Sequence, residues 1–123
     1  METVGTGAGR MDLRLQIGSF RELEFIFRTY DTTTETYSDE DITTKTFSFF
    51  LRKYKGSRKK VVNYTNGNGI TIPVYYTNRI LVRIQGADTE DSEEGEYYFE
   101  LRREDLDAPK VYGLAYLKFD AVE

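Results

Sequence analysis

"ADTEDSEEGEYYFELRRE", residues 87–104, changes character halfway along. Asp88, Glu90, Asp91, Glu93, Glu94 and Glu96 put six carboxylates into the nine positions 88–96. From Glu96 onward the chain alternates: Tyr97, Phe99 and Leu101 fall on one side, Tyr98, Glu100 and Arg102 on the other. A two-residue period places successive side chains on opposite faces of an extended backbone, so this is a half-buried strand entered from a polar loop. Gly95 stands at the joint, where a residue that tolerates positive φ lets the chain turn.

The same period recurs along the chain. In "MDLRLQI" (11–17), Leu13, Leu15 and Ile17 oppose Asp12, Arg14 and Gln16, and Gly18-Ser19 breaks the strand. "FRELEFIFRTY" (20–30) sets Leu23, Phe25 and Phe27 against Glu22, Glu24 and Arg28. A helix is the rival reading there; the Thr-rich, β-prone surroundings favour a strand. "DTTTETYSDED" (31–41) reads as a polar loop. "ITTKTFSFFLRKY" (42–54) turns Phe47, Phe49 and Leu51 inward and Phe50, Arg52 and Tyr54 outward. The basic turn "KGSRKK" (55–60) leads into "VVNY" (61–64), making 46–64 a hairpin. "TNGNG" (65–69) is turn chemistry, and "ITIPV" (70–74) is an edge strand because Pro73 cannot donate to a ladder. "NRILVRIQ" (78–85) points Ile80, Val82 and Ile84 inward, 105–110 turns, and "VYGLAYLKFDAV" (111–122) presents Ala115, Leu117 and Phe119 to the interior. Seven or eight strands at regular spacing, with no convincing helical period, predict an all-β sandwich.

Composition narrows the function. The 123 residues suit one domain, and ten Tyr and eight Phe supply core volume despite a hydrophobic content of 39% and a mean hydropathy of -0.57. A net charge of -4 argues against general nucleic-acid binding, which requires a basic footprint. With no Cys there are no disulfides, thiol nucleophiles or Cys-zinc sites; with no His, the commonest general base and metal ligand is missing. No apolar run nears the roughly 20 residues of a membrane span, and "METVGTGAGRM" lacks the apolar region of a signal peptide, so a product made in the cytoplasm is expected. Residues 1–10 read as a flexible Gly-rich arm ahead of a domain at 11–123. The spacing Gly5-x-Gly7-x-Gly9 lacks the strand-to-helix context of a phosphate loop.

Three groups of residues are candidates for recognition. Asp88, Glu90, Asp91, Glu93 and Glu94 offer hard oxygen ligands, but the order of Asp, Gly and Glu does not fit an EF-hand. A glycosidase pair would need two carboxylates held at fixed separation across a cleft, which an exposed loop does not provide. A solvated turn is the plain alternative. Arg52, Lys53, Lys55, Arg58, Lys59 and Lys60 form the opposite pole. They read as a solvated hairpin tip that protects an edge, or as a contact for an acidic surface such as loop 88–96 of a neighbouring copy. Tyr75, Tyr76 and Asn78 suggest a sugar-stacking platform, with strand-edge packing as the alternative. Tyr97, two residues after Gly95, is either a core tyrosine or the tyrosine corner of an immunoglobulin-like sandwich, in which the hydroxyl bonds back to the preceding turn.

The order of "LRLQIGSFRELEFIFRTYD", "ITTKTFSFFLRK", "GITIPV", "ILVRIQGADTEDSEEGEYYFELRRED" and "KVYGLAYLKFDAV" resembles the immunoglobulin-like domain at the N-terminus of phage upper-baseplate proteins and related small β-sandwich proteins of tailed-phage virions. Asp88-Thr89, Gly95, Tyr97 and Leu101 occupy its "dT…G.Y…l" positions, and Gly113 the glycine of its last strand. Ser19, and Glu93 or Glu94, depart from that pattern. The resemblance implies an immunoglobulin-like antiparallel β-sandwich of seven to eight strands. It further implies a non-enzymatic virion subunit without a cofactor, assembling with other virion proteins and copies of itself and binding neither nucleic acid nor membrane. A carbohydrate-binding or adhesion module is the alternative.

Overall fold

The computed structural model describes residues 2–4, 9–54, 59–104 and 111–119. Its strands are β1 (Glu2–Val4), β2 (Gly9–Arg10), β3 (Leu13–Gln16), β4 (Arg21–Ile26), β5 (Arg28–Asp31), β6 (Thr36–Asp39), β7 (Phe47–Arg52), β8 (Lys60–Asn66), β9 (Gly69–Thr71), β10 (Arg79–Ile84), β11 (Gly95–Arg103) and β12 (Val111–Lys118). A single helical turn, α1 (Gly86–Thr89), precedes β11. The protein is all-β. One hydrogen-bonded sheet runs in the order β1-β4-β10-β9-β8-β7-β11-β12-β2, with β3 also paired to β12, and β5-β6 forms a separate two-stranded hairpin. The chain crosses from β3, on one edge, to β4, near the other, through a turn at Gly18 (φ +80°), which brings the two ends of the sheet together around the core.

Alternation decides the faces. Leu23, Phe25, Phe47, Phe49, Leu51, Ile80, Val82, Ile84, Tyr97, Phe99 and Leu101 all lie in one buried cluster, as their period predicts. The segment with a helical rival is the strand β4, paired along its whole length to β10. On its outer side Arg83 pairs with Glu22 at 2.8 Å and Arg79 with Glu24 at 3.5 Å, so the charged half of the alternation is matched across strands. Rings close the interior: Phe27 and Phe47 lie 5.2 Å apart and Phe49 and Phe99 5.9 Å apart.

Several expectations need correction. Residues 2–4 and 9–10, expected in a free arm, are strands: β1 runs parallel to β4 and β2 parallel to β12. Both of those strands otherwise leave backbone groups open at an edge, which invites pairing. The predicted loop 31–41 contains half of a hairpin, β5-β6, whose turn places Glu35 at φ +56°. Phe119, expected in the core, is 60% exposed, because β12 ends at Lys118. Phe50 faces outward as expected yet is only 4% exposed, because Arg52 and Lys60 cover its ring. The predicted turn 105–110 lies outside the described residues.

Candidate functional site

The acidic loop is a built corner. The Tyr97 hydroxyl donates to the Glu93 carbonyl at 2.8 Å, across the turn that Gly95 (φ +148°) makes possible. Thr89 is buried. Its Oγ1 accepts from the Gly18 amide at 3.0 Å and donates to the Gly86 carbonyl at 3.3 Å. Gly86 packs so closely on the Gly18 carbonyl that a side chain there would collide with it. The Asp88 carboxylate accepts from the Tyr64 hydroxyl, and Tyr64 Oη accepts from the Gln85 amide at 3.0 Å. Burial, then the Asp88 hydrogen bond, pushes the Tyr64 phenol well above its ordinary value, so it is a structural donor rather than an acid poised near neutrality. Gly69 lies against the Tyr64 ring, where a Cβ would overlap it. Gly113 serves the far side of the sheet: a side chain there would strike the Met11 carbonyl, next to Asp12, whose carboxylate caps the Leu114 amide at 3.2 Å.

The structure brings the two charged poles together within one molecule. Lys53, Lys59 and Lys60 face Asp88, Asp91 and Glu93 across a groove of about 610 Å³ that Tyr54, Val61 and Tyr97 also line. The Lys53 ammonium rests 4.6 Å from the centre of the Tyr97 ring. Residues of the two poles expected to meet between copies thus line one groove of a single copy. Not every candidate joins this groove. Glu90 is exposed beyond α1, and the Glu94 carboxylate accepts from the Phe119 amide at 2.9 Å. Lys55 and Arg58 lie outside the described residues. Among the described residues, no three carboxylates converge as a metal site would require.

Arg52 belongs to a different surface, the outer face of β7, β8 and β11. Its guanidinium carbon stands 4.4 Å from the centre of the Phe50 ring, and the Lys60 ammonium 4.7 Å from the same centre. Arg52 Nε is buried without a hydrogen-bond partner. Beside this pair, Tyr98 donates to Glu100 at 2.8 Å and Arg102 pairs with Glu100 at 3.3 Å. Burial, then the Glu100 carboxylate, pushes the Tyr98 phenol up to about 12. Ser48 and Glu104 complete a shallow concavity of about 500 Å³. The sequence reading passed over Phe50, Tyr98 and Glu100, although the outward aromatic positions in β7 and β11 were the available signal.

The sugar platform does not form as proposed. Tyr75 is 92% exposed at the tip of the β9–β10 loop, but Asn78 is 6% exposed and its carbonyl accepts from Phe27 at 2.7 Å. The Tyr76 ring is covered on one side by the Arg79 guanidinium at 4.1 Å. Asn78 is a core polar residue whose backbone ties the loop to Phe27, just after β4, and Tyr75 is left without a neighbouring exposed amide from that position.

No protein-family profile matches the chain, and no curated protein matches it.

Proposed function

We propose that this chain is an immunoglobulin-like β-sandwich and a non-enzymatic structural subunit of a tailed-phage virion that works by protein–protein assembly. Two features support the sandwich. The strand pairs fall into the groups β1-β4-β10-β9 and β8-β7-β11-β12-β3, joined through the two-residue parallel contact of β8 with β9. The bond from the Tyr97 hydroxyl back to the Glu93 carbonyl is of the kind that the tyrosine corner of such domains makes.

The observation that carries the assembly reading is the outer sheet face. Phe50 under Arg52 and Lys60, with Tyr98 beside them, has the aromatic and arginine character that distinguishes interface cores from ordinary surface. The residues that carry the family resemblance work as scaffold: Asp88 holds Tyr64, Thr89 holds Gly18, Gly95 and Tyr97 make the corner, and Gly113 admits Met11. The phage setting rests on that resemblance, and with it go partners among other virion proteins and location in the particle. Quantitative proteomics of purified particles, with mass photometry of the isolated chain, is the test. Stoichiometric presence in the particle is expected; absence from particles together with a strictly monomeric chain would overturn the reading.

An adhesion module remains a second reading, favoured by the exposure of Val74 and Tyr75 at 93% and 92%. Glycan-array binding that disappears in Tyr75→Ala would promote it.

A further inference from the structure

The β5-β6 hairpin and the outer sheet face have complementary unmet requirements. Every residue from Asp31 to Asp39 is exposed, and β6 carries no buried position along its length. A two-stranded hairpin without a covering surface is marginally stable in water. Segment 31–41 contains Asp31, Glu35, Asp39, Glu40 and Asp41 and no Lys or Arg. Three of these carboxylates have local roles. Asp31 caps the turn through the Thr33 amide at 2.8 Å, Asp41 binds Thr43 at 2.7 Å, and Glu40 pairs with Arg103. Glu35, just before β6, and Asp39, its last residue, make no ion pair among the described residues.

On the sheet face, Arg52 and Lys60 both rest on Phe50, and neither has a carboxylate partner among the described residues. Their fixed positions over the ring lower the ordering cost of receiving an anion. Arg52 and Lys60 lie at one end of the concavity, because Arg52 pairs with Tyr98 and Lys60 in the ladder, while Arg102, paired with Glu100, and Glu104 lie toward the other end. We propose that the hairpin of one copy docks on this face of a second copy, with Glu35 and Asp39 meeting Arg52 and Lys60. This rests on the assembly reading above and names the contact that it would use.

Geometry makes the contact intermolecular. The hairpin leaves β4 beside Phe47, whose ring touches Phe27, whereas Arg52 ends the same strand β7, about 17 Å away at roughly 3.3 Å per residue. β6, exposed along its whole length, is not laid over its own sheet. Hairpin and clasp are different surfaces, so two copies either exchange hairpins about a twofold axis or join head-to-tail into a ring or a filament. One hairpin covers less than a standard interface, so each contact is weak on its own, with Kd on the order of micromolar or weaker, and sensitive to salt.

Two charge-reversal variants test it by sedimentation velocity, with circular dichroism to establish folding. Arg52→Glu/Lys60→Glu removes the clasp and keeps the hairpin; Glu35→Lys/Asp39→Lys does the reverse. The wild-type chain is expected to self-associate with rising concentration and to lose that association in high salt. Each variant alone is expected to be monomeric, with Kd raised at least about a hundredfold. Mixed, the two are expected to associate again, because the unchanged hairpin of one fits the unchanged clasp of the other and the reversed hairpin is complementary to the reversed clasp. A wild-type chain that stays monomeric to about 1 mM, or a mixture of folded variants that does not pair, would overturn the proposal. A chain found in particles whose variants behave like wild type would lose this interface but keep the virion role. A pairing mixture whose parent chain is absent from particles would do the opposite.

Discussion

Tyr97 performs two tasks with one side chain: its ring fills the core and its hydroxyl closes the turn onto Glu93. Tyr97→Phe separates them. The ring stays, the Glu93 carbonyl loses its partner, and a loss of about 1 kcal/mol is expected from urea unfolding. A loss near zero would mean that water replaces the hydroxyl without cost and that the corner is not fixed by this bond. Tyr64 and Tyr98 carry a pH signature. A phenol is neutral when protonated, so a pKa raised in the folded state favours the protonated, folded form. That stability is fully present below the ordinary value of 10.0 and falls as pH rises toward about 12 for Tyr98, and beyond it for Tyr64. The melting temperature is therefore expected to drop across pH 10 to 12, less steeply in Tyr98→Phe; a flat profile over that interval would contradict the assignment.

Elements differ in what holds them. Four residues cannot sustain a helix by propensity, so α1 exists because Thr89 is bonded to the Gly18 turn and Asp88 to Tyr64. The β5-β6 hairpin is held by cross-strand pairing and by the Asp31 turn, with every position of β6 exposed. Its amides are expected to exchange with solvent at least about a hundredfold faster than those of β11, which is paired on both sides. Hydrogen-exchange mass spectrometry on a dilute sample reads this directly. Protection of β6 equal to that of β11 at high dilution would show that the hairpin is a full part of the domain.

At the scale of the whole molecule, the ladder is closed by pairs far apart in sequence. β3 pairs with β12, with Leu13 opposite Ala115, and β1 pairs with β4 at the opposite edge. Loop closure must precede the gain from such contacts, so folding on the millisecond-to-second scale is expected. Stopped-flow tyrosine fluorescence measures it, the chain having ten Tyr and no Trp; microsecond folding would contradict the topology. The opposed poles also behave differently in the folded molecule than in the chain. Lys53, Lys59 and Lys60 sit across one groove from Asp88, Asp91 and Glu93, which leaves Arg52 and the outer side of Lys60 to serve the sheet face.

The strands and their inward faces were legible in the residues alone, because a period of two is a local property and the core residues of β4, β7, β10 and β11 named above follow it. The sequence also identified Gly95 and Tyr97, since a turn residue followed by the first inward aromatic is a local signature of a corner. It missed the β5-β6 hairpin, whose polar strands lack an apolar face to reveal the period, and it placed Phe119 and Asn78 on the wrong side of the surface. Which charges meet follows from the folded arrangement. Whether Lys53 faces an acid in its own molecule, whether Phe50 is covered by Arg52, and whether Asp88 holds a tyrosine or a metal depend on which loops the sheet carries to the same end. That is set by strand order, a property of the whole chain that no single segment encodes.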